Sequence, residues 1–162
     1  MSKGTKKLQE EFKFIRKKGV LSQIGASAAP INRDNFLHWR GCLTGPKNTP
    51  YSDGTFYFEM KFDENYPNSP PIDVQMRTPI YHANIFNYNG HICVSYINNW
   101  KNTNNIVGII NAIFDLLYES NPDPLDSYHR DDFKKAEEFK YKYANPNQKI
   151  DWKTSWDKGW TQ

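Results

Sequence analysis

The sequence predicts an α+β domain with an N-terminal helix, an antiparallel meander sheet of about four strands, a central helix and one or two C-terminal helices. Three observations carry this. The hydrophobic period changes from 3.6 to 2 and back again along the chain. Helical and alternating stretches are segregated, which argues against a parallel βαβ fold. The 162 residues suffice for one core and are few for two. The domain is expected over residues 1–144, followed by a tail over 145–162 that holds Trp152, Trp156 and Trp160.

Leu8, Phe12 and Ile15 lie at i, i+4 and i+7 with basic residues on the other faces, which predicts an amphipathic helix over 3–18 stopped by Gly19. A small-residue stretch from Gly25 to Pro30 follows. Leu37, Trp39, Gly41 and Leu43 then alternate with His38, Arg40 and Cys42, the pattern of a half-buried strand. Turn chemistry at Pro50-Tyr51-Ser52-Asp53-Gly54 leads to a second strand, Phe56, Phe58, Met60 and Phe62 against Tyr57, Glu59 and Lys61. Pro67, Pro70 and Pro71 each remove a backbone donor, so this stretch is a stiff extended loop. Ile72, Val74 and Met76 predict a third short strand.

From 80 to 105 no period holds, and an irregular stretch of roughly 25 residues inside a compact domain is usually functional. Ile106, Ile109, Ile110, Ile113, Phe114, Leu116 and Leu117 form a helix apolar on more than half its circumference, hence the central one, ended by Asn121-Pro122-Asp123-Pro124. A final helix is predicted over 126–144, with Phe133, Ala136, Phe139 and Tyr143 at helical spacing. In the tail, Trp152, Trp156 and Trp160 follow an i, i+4, i+8 stripe weakened by Gly159.

Charge and cysteine content narrow the function. The formal net charge of +3 is too small for a domain built to wrap nucleic acid. Its distribution says more: residues 3–18 hold Lys3, Lys6, Lys7, Lys13, Arg16, Lys17 and Lys18 against Glu10 and Glu11, so this helix carries +5 and the rest of the chain −2. Cys42 and Cys93 have neither metal-ligand nor redox spacing, and a reducing compartment is expected. The charged N-terminus lacks a secretory apolar region, and no apolar run approaches the roughly 18 residues of a membrane span. A soluble monomer of the cytoplasm or nucleus is expected, with no cofactor, no metal, no nucleic acid and no membrane association.

The irregular segment reads Tyr81-His82-Ala83-Asn84, then Gly90, then Ile92-Cys93-Val94, with Trp100 beyond. In this order the residues resemble the His-Pro-Asn motif, glycine turn, active-site cysteine and tryptophan of the ubiquitin-conjugating enzymes. Further landmarks agree: Phe36-Leu37-His38-Trp39, Gly45-Pro46, Pro50-Tyr51 with Gly54, Tyr66-Pro67 with Pro70-Pro71, and Asn121-Pro122-Asp123-Pro124-Leu125. The resemblance runs over roughly residues 5–144.

The resemblance implies an acyltransferase. Cys93 would accept the C-terminal carboxyl group of ubiquitin, or of a ubiquitin-like protein, from the activating enzyme as a thioester and pass it to a lysine or a ligase. A thiolate suits this because it is both a strong nucleophile and a good leaving group. Asn84 would stabilise the tetrahedral oxyanion or order the loop that does. His82 would be structural, and Asp123 would orient the incoming lysine or ease its deprotonation. Cys42, on an alternating strand, is read as a buried small residue.

The basic helix would dock the activating enzyme through Lys6 and Lys7. Ligases would meet a loop at Asn68 and a second after Trp100, at Lys101, Asn102 and Thr103; these polar residues replace an expected aromatic anchor, so weak use of common RING and HECT ligases is expected.

The chain departs from the family pattern at several points. Ala83 replaces the motif's proline, which raises the cost of ordering the loop by up to about 1 kcal/mol. One extra residue separates Asn84 from Cys93, and one fewer separates Cys93 from Trp100. Ser95 stands where aspartate is common. The stretch from Pro124 to Ala144 is short enough to merge two C-terminal helices. Two other readings compete. One is a non-catalytic ubiquitin-binding variant of the fold, disfavoured by Cys93. The other is a cysteine hydrolase using His82, His91 or His129 as base, which lacks an orienting third group.

Overall fold

The computed structural model describes residues 1–86, 89–118, 132–145 and 147. Its first element is helix α1, Lys3–Lys18. The Ser2 hydroxyl caps it by accepting from the Thr5 amide at 3.1 Å. Gly19, at φ 59°, takes the left-handed turn that lets its amide close on the Ile15 carbonyl. Leu8 and Ile15 are buried as the spacing predicts, and Phe12 packs edge-on against Phe36 and Trp39.

Four antiparallel strands follow in meander order: β1 (Ala26–Asn32), β2 (Asn35–Thr44), β3 (Thr55–Lys61) and β4 (Asp73–Met76). Cross-strand register places Ala28 beside Gly41, Gly41 beside Phe58 and Phe58 beside Met76 on the core face. The small residues make room for Phe58, whose ring occupies the space a Gly41 side chain would need. β1 is therefore the strand the pattern does not announce: its core-facing Ala26 and Ala28 are too small to mark an apolar alternation.

Helix α3 (Ile106–Tyr118) lies across the core with Ile106, Ile109, Ile110, Ile113, Leu116 and Leu117 buried, as predicted. A one-turn helix, α2 (Ser95–Asn98), precedes it inside the segment without a period. Gly108 of α3 lets the Tyr96 ring of α2 lie close against the helix, where a Cβ would collide with the Tyr96 hydroxyl. The last helix is described as α4, Asp132–Tyr143. It is held to the β2–β3 connection by Lys140 Nζ donating to the Ser52 carbonyl at 3.0 Å, and to β3 by the Thr55 amide donating to the Ala144 carbonyl at 2.8 Å.

Three expectations are corrected. Ile72 is not a core residue: β4 begins at Asp73, and Ile72 is 65% exposed beyond the last sheet pair, Lys61 with Asp73. Phe133 keeps helical spacing with Ala136, but only Ala136 is buried, because the first turn of α4 lies off the core. Cys42 is half-buried on the outward face of β2, with its sulfur 3.4 Å from the Ser27 hydroxyl. The expected ends at Asn121–Pro124, the first part of the 126–144 helix and the tryptophans of the tail lie outside the described residues. Among the described residues, no helix is long and apolar enough to cross a membrane.

Candidate active site

The irregular segment is tied to the sheet by backbone bonds that define no long strand. The Met76 amide donates to Gly90 at 2.7 Å and the Ile92 amide to Val74 at 3.2 Å, so residues 90–92 continue the sheet past β4. Ile85 bridges Ile92, and the Cys93 amide donates to the Asn84 carbonyl at 2.9 Å. Asn84 and Cys93 thus face each other directly. Beyond this pair the Gly90 amide donates to the Phe86 carbonyl at 2.9 Å.

His82 organises the near side. The Asn84 amide donates to its Nδ1 at 2.9 Å, so the proton sits on Nε2, which donates to the Leu116 carbonyl of α3 at 2.7 Å. Burial lowers its pKa to about 4, with the bond to Leu116 opposing that fall. A neutral imidazole with both nitrogens engaged is a bracket between turn and helix and has no free nitrogen for use as a base. The Ile85 amide closes the 82–85 turn onto the His82 carbonyl at 3.2 Å. The Asn84 side chain is fully buried beneath it.

Cys93 is half-buried and leads into α2. Its sulfur accepts a hydrogen bond from Asn98 Nδ2 at 3.4 Å. His91, two residues earlier, instead has Nδ1 4.0 Å from an Asp73 carboxylate oxygen and its ring stacked on Phe86. The next landmark is held in place despite the shortened spacing: Trp100 donates from Nε1 to the Pro67 carbonyl at 2.7 Å and packs on Tyr66 and Tyr96. Asp123 and His129 lie outside the described residues.

A second region lies along α1. Lys3, Lys6, Lys7 and Glu10 line an open groove of about 640 Å³ together with Pro67, Asn68 and Asn102. Residues assigned separately to the activating enzyme and to ligases therefore share one surface. Thr103 is exposed in the same loop but is not among the residues lining that groove.

On the same helix, Glu11 is buried, which its place in the charge pattern of the basic helix does not announce. Its carboxylate accepts from the Tyr66 hydroxyl at 2.7 Å and from the Ile106 amide at 2.8 Å. It thereby satisfies an otherwise unpaired donor at the start of α3. Desolvation pushes the Glu11 carboxyl above its usual range, opposed by those two bonds and by Lys7. The Tyr66 hydroxyl is raised by burial and by the Glu11 charge. The spacing of Tyr66 and Ile106 from Glu11 along the chain leaves no local signal for this contact.

A sequence model of the family described as ubiquitin-conjugating enzyme matches residues 7–147. The chain is 36% identical over 118 residues to ubiquitin-conjugating enzyme E2 2 of Candida glabrata, covering 72% of this chain and 67% of that protein. It is 35% identical over 119 residues to ubiquitin-conjugating enzyme E2 3 of Arabidopsis thaliana, covering 73% and 75%. Among solved structures, one described as a ubiquitin conjugating enzyme from Plasmodium yoelii superposes with a TM-score of 0.76 at 30% identity, over 90% of this chain and 97% of that one. The E2 domain of a Toxoplasma gondii ubiquitin conjugating enzyme gives 0.71 at 25% identity, over 84% and 99%.

Proposed function

We propose a role for each site residue from one premise: the chain belongs to the ubiquitin-conjugating enzyme family, transferases that carry ubiquitin as a thioester. Cys93 is the acceptor. The observation that carries this reading is a half-exposed sulfur whose backbone is pinned to Asn84 and whose side chain already accepts a hydrogen bond.

In loading, the Cys93 thiolate attacks the thioester carbonyl of ubiquitin held by the activating enzyme. The new C–S bond forms, the old one breaks, and the activating enzyme's cysteine leaves as thiolate. In discharge, an amine attacks the same carbonyl, a C–N bond forms, the Cys93 thiolate leaves and the amine's surplus proton passes to water. Asn84 orders the loop from below: its complete burial favours that role over direct contact with the oxyanion. His82 holds the turn rather than moving protons. Asp123 orients the incoming lysine.

The activating enzyme docks on the groove beside Lys6 and Lys7, and Asn68, Asn102 and Thr103 give ligases a polar surface without an aromatic anchor. The carried protein is ubiquitin or a ubiquitin-like relative. The test is adduct formation on the purified chain with activating enzyme, ATP and ubiquitin. A thiol-labile adduct is expected for the native protein, a thiol-resistant ester for Cys93→Ser, and none for Cys93→Ala. An unchanged thiol-labile adduct on Cys93→Ala overturns the assignment.

A further inference from the structure

Asn98 is the residue whose side chain reaches the sulfur. It ends α2, and its backbone amide bonds to the Val94 carbonyl at 3.0 Å, so one helical turn brings it back over Cys93. There Nδ2 donates to Sγ at 3.4 Å. Asn98 is itself exposed, so this contact is not a by-product of core packing. The Trp100 indole, fixed on Pro67, ends the short segment two residues later, and Asn104 Nδ2 donates to the Tyr96 carbonyl at 3.1 Å, so α2 is anchored on both sides of Asn98.

A carboxamide N–H stabilises a thiolate more than a thiol, because the charged sulfur is the stronger acceptor. We propose that Asn98 is a catalytic donor to the Cys93 sulfur, stabilising the thiolate both as the attacking group in loading and as the leaving group in discharge. This rests on Cys93 being the thioester-forming residue. In loading, the Cys93 proton goes to water before attack and the Asn98 N–H holds the resulting charge. In discharge, the C–S electron pair returns to the same sulfur and meets the same donor.

The contact has a kinetic signature that loss of structure does not share. Removing the donor disfavours the charged sulfur, so less thiolate is present near neutrality. The less stabilised thiolate is also the more nucleophilic one, with a Brønsted slope of about 0.4–0.5. The experiment follows iodoacetamide alkylation of Cys93 against pH in the full chain carrying Cys42→Ser, with Asn98→Leu and Asn98→Asp beside it.

The alkylation midpoint is expected to rise by about half a unit in Asn98→Leu and by about one unit or more in Asn98→Asp, where a like charge replaces the donor. Above the midpoint, both variants should react at least as fast as the parent. Ubiquitin loading near pH 7 should slow by about 2-fold in Asn98→Leu, a roughly 3-fold loss of thiolate being partly offset by nucleophilicity. Midpoints within about 0.2 units of the parent in both variants, or uniform slowing at every pH, overturn the proposal. If the native chain forms no thiol-labile ubiquitin adduct, the assignment of Cys93 fails instead, while the alkylation profiles still report on the Asn98 contact.

Discussion

His82 and Glu11 are buried ionisable groups whose protonation is coupled to folding. His82 ordinarily titrates near 6.5 and does so at about 4 in the fold, so between these values the unfolded chain binds the extra proton. Stability is therefore complete above about pH 6.5 and falls as pH drops toward 4, by about 3 kcal/mol in total. Urea unfolding across this range should show the loss, and His82→Gln, destabilised throughout, should show a flatter profile. Glu11 has the opposite sign: its raised carboxyl binds a proton in the fold above the normal carboxylate range, so the buried charge costs stability as pH rises past that point. Glu11→Ala leaves the Ile106 amide and the Tyr66 hydroxyl unpaired and should cost about 2–4 kcal/mol. Glu11→Gln keeps an acceptor for Ile106 and should fall within about 1 kcal/mol of native in the same measurement. The motif makes a structural role for His82 legible from the sequence. The clamp at Glu11 is not, since its partners come from a loop and a helix far along the chain.

At the scale of elements, the 82–85 turn replaces a proline by Ala83, which is buried at the first inner position of the turn. Proline is favoured at that position. Ala83→Pro should therefore stabilise by about 0.5–1 kcal/mol through the unfolded chain. That is roughly 1–4 °C in thermal midpoint for a chain of this size; a fall in midpoint would show that the alanine answers a different backbone need. Helices α1 and α3 were legible because large apolar residues recur on one face, and β2 and β3 because they alternate. β1 and α2 were not. The first presents alanines to the core, and the second is a single turn defined by the bond from Asn98 to Val94 and by the anchored Trp100 and Tyr96.

Across the whole molecule, the charge asymmetry becomes a place. Lys3, Lys6 and Lys7 share a groove with Pro67, Asn68 and Asn102, so charge acts there over a surface built from three separated segments. Lys6→Glu combined with Lys7→Glu should slow loading of Cys93 by about 10-fold at low salt, with the difference shrinking as screening rises, and leave discharge of a preloaded thioester unchanged. Equal loading at low salt would make the groove a solvated face. For the same surface, discharge rates should be little altered by common RING ligases, and strong stimulation by one of them would refute the loss of the aromatic anchor.

By itself the sequence determined the α+β class, the central helix, the basic first helix and the Asn84–Cys93 segment, because each is written in local periodicity, charge or ordered motif. Only the tertiary structure decided that Asn84 pairs with Cys93, that Asn98 turns back onto the sulfur, and that Glu11 is a buried clamp joining α1 to Tyr66 and the start of α3. These depend on which backbone groups lacked partners once the core had closed, and a linear pattern does not record that.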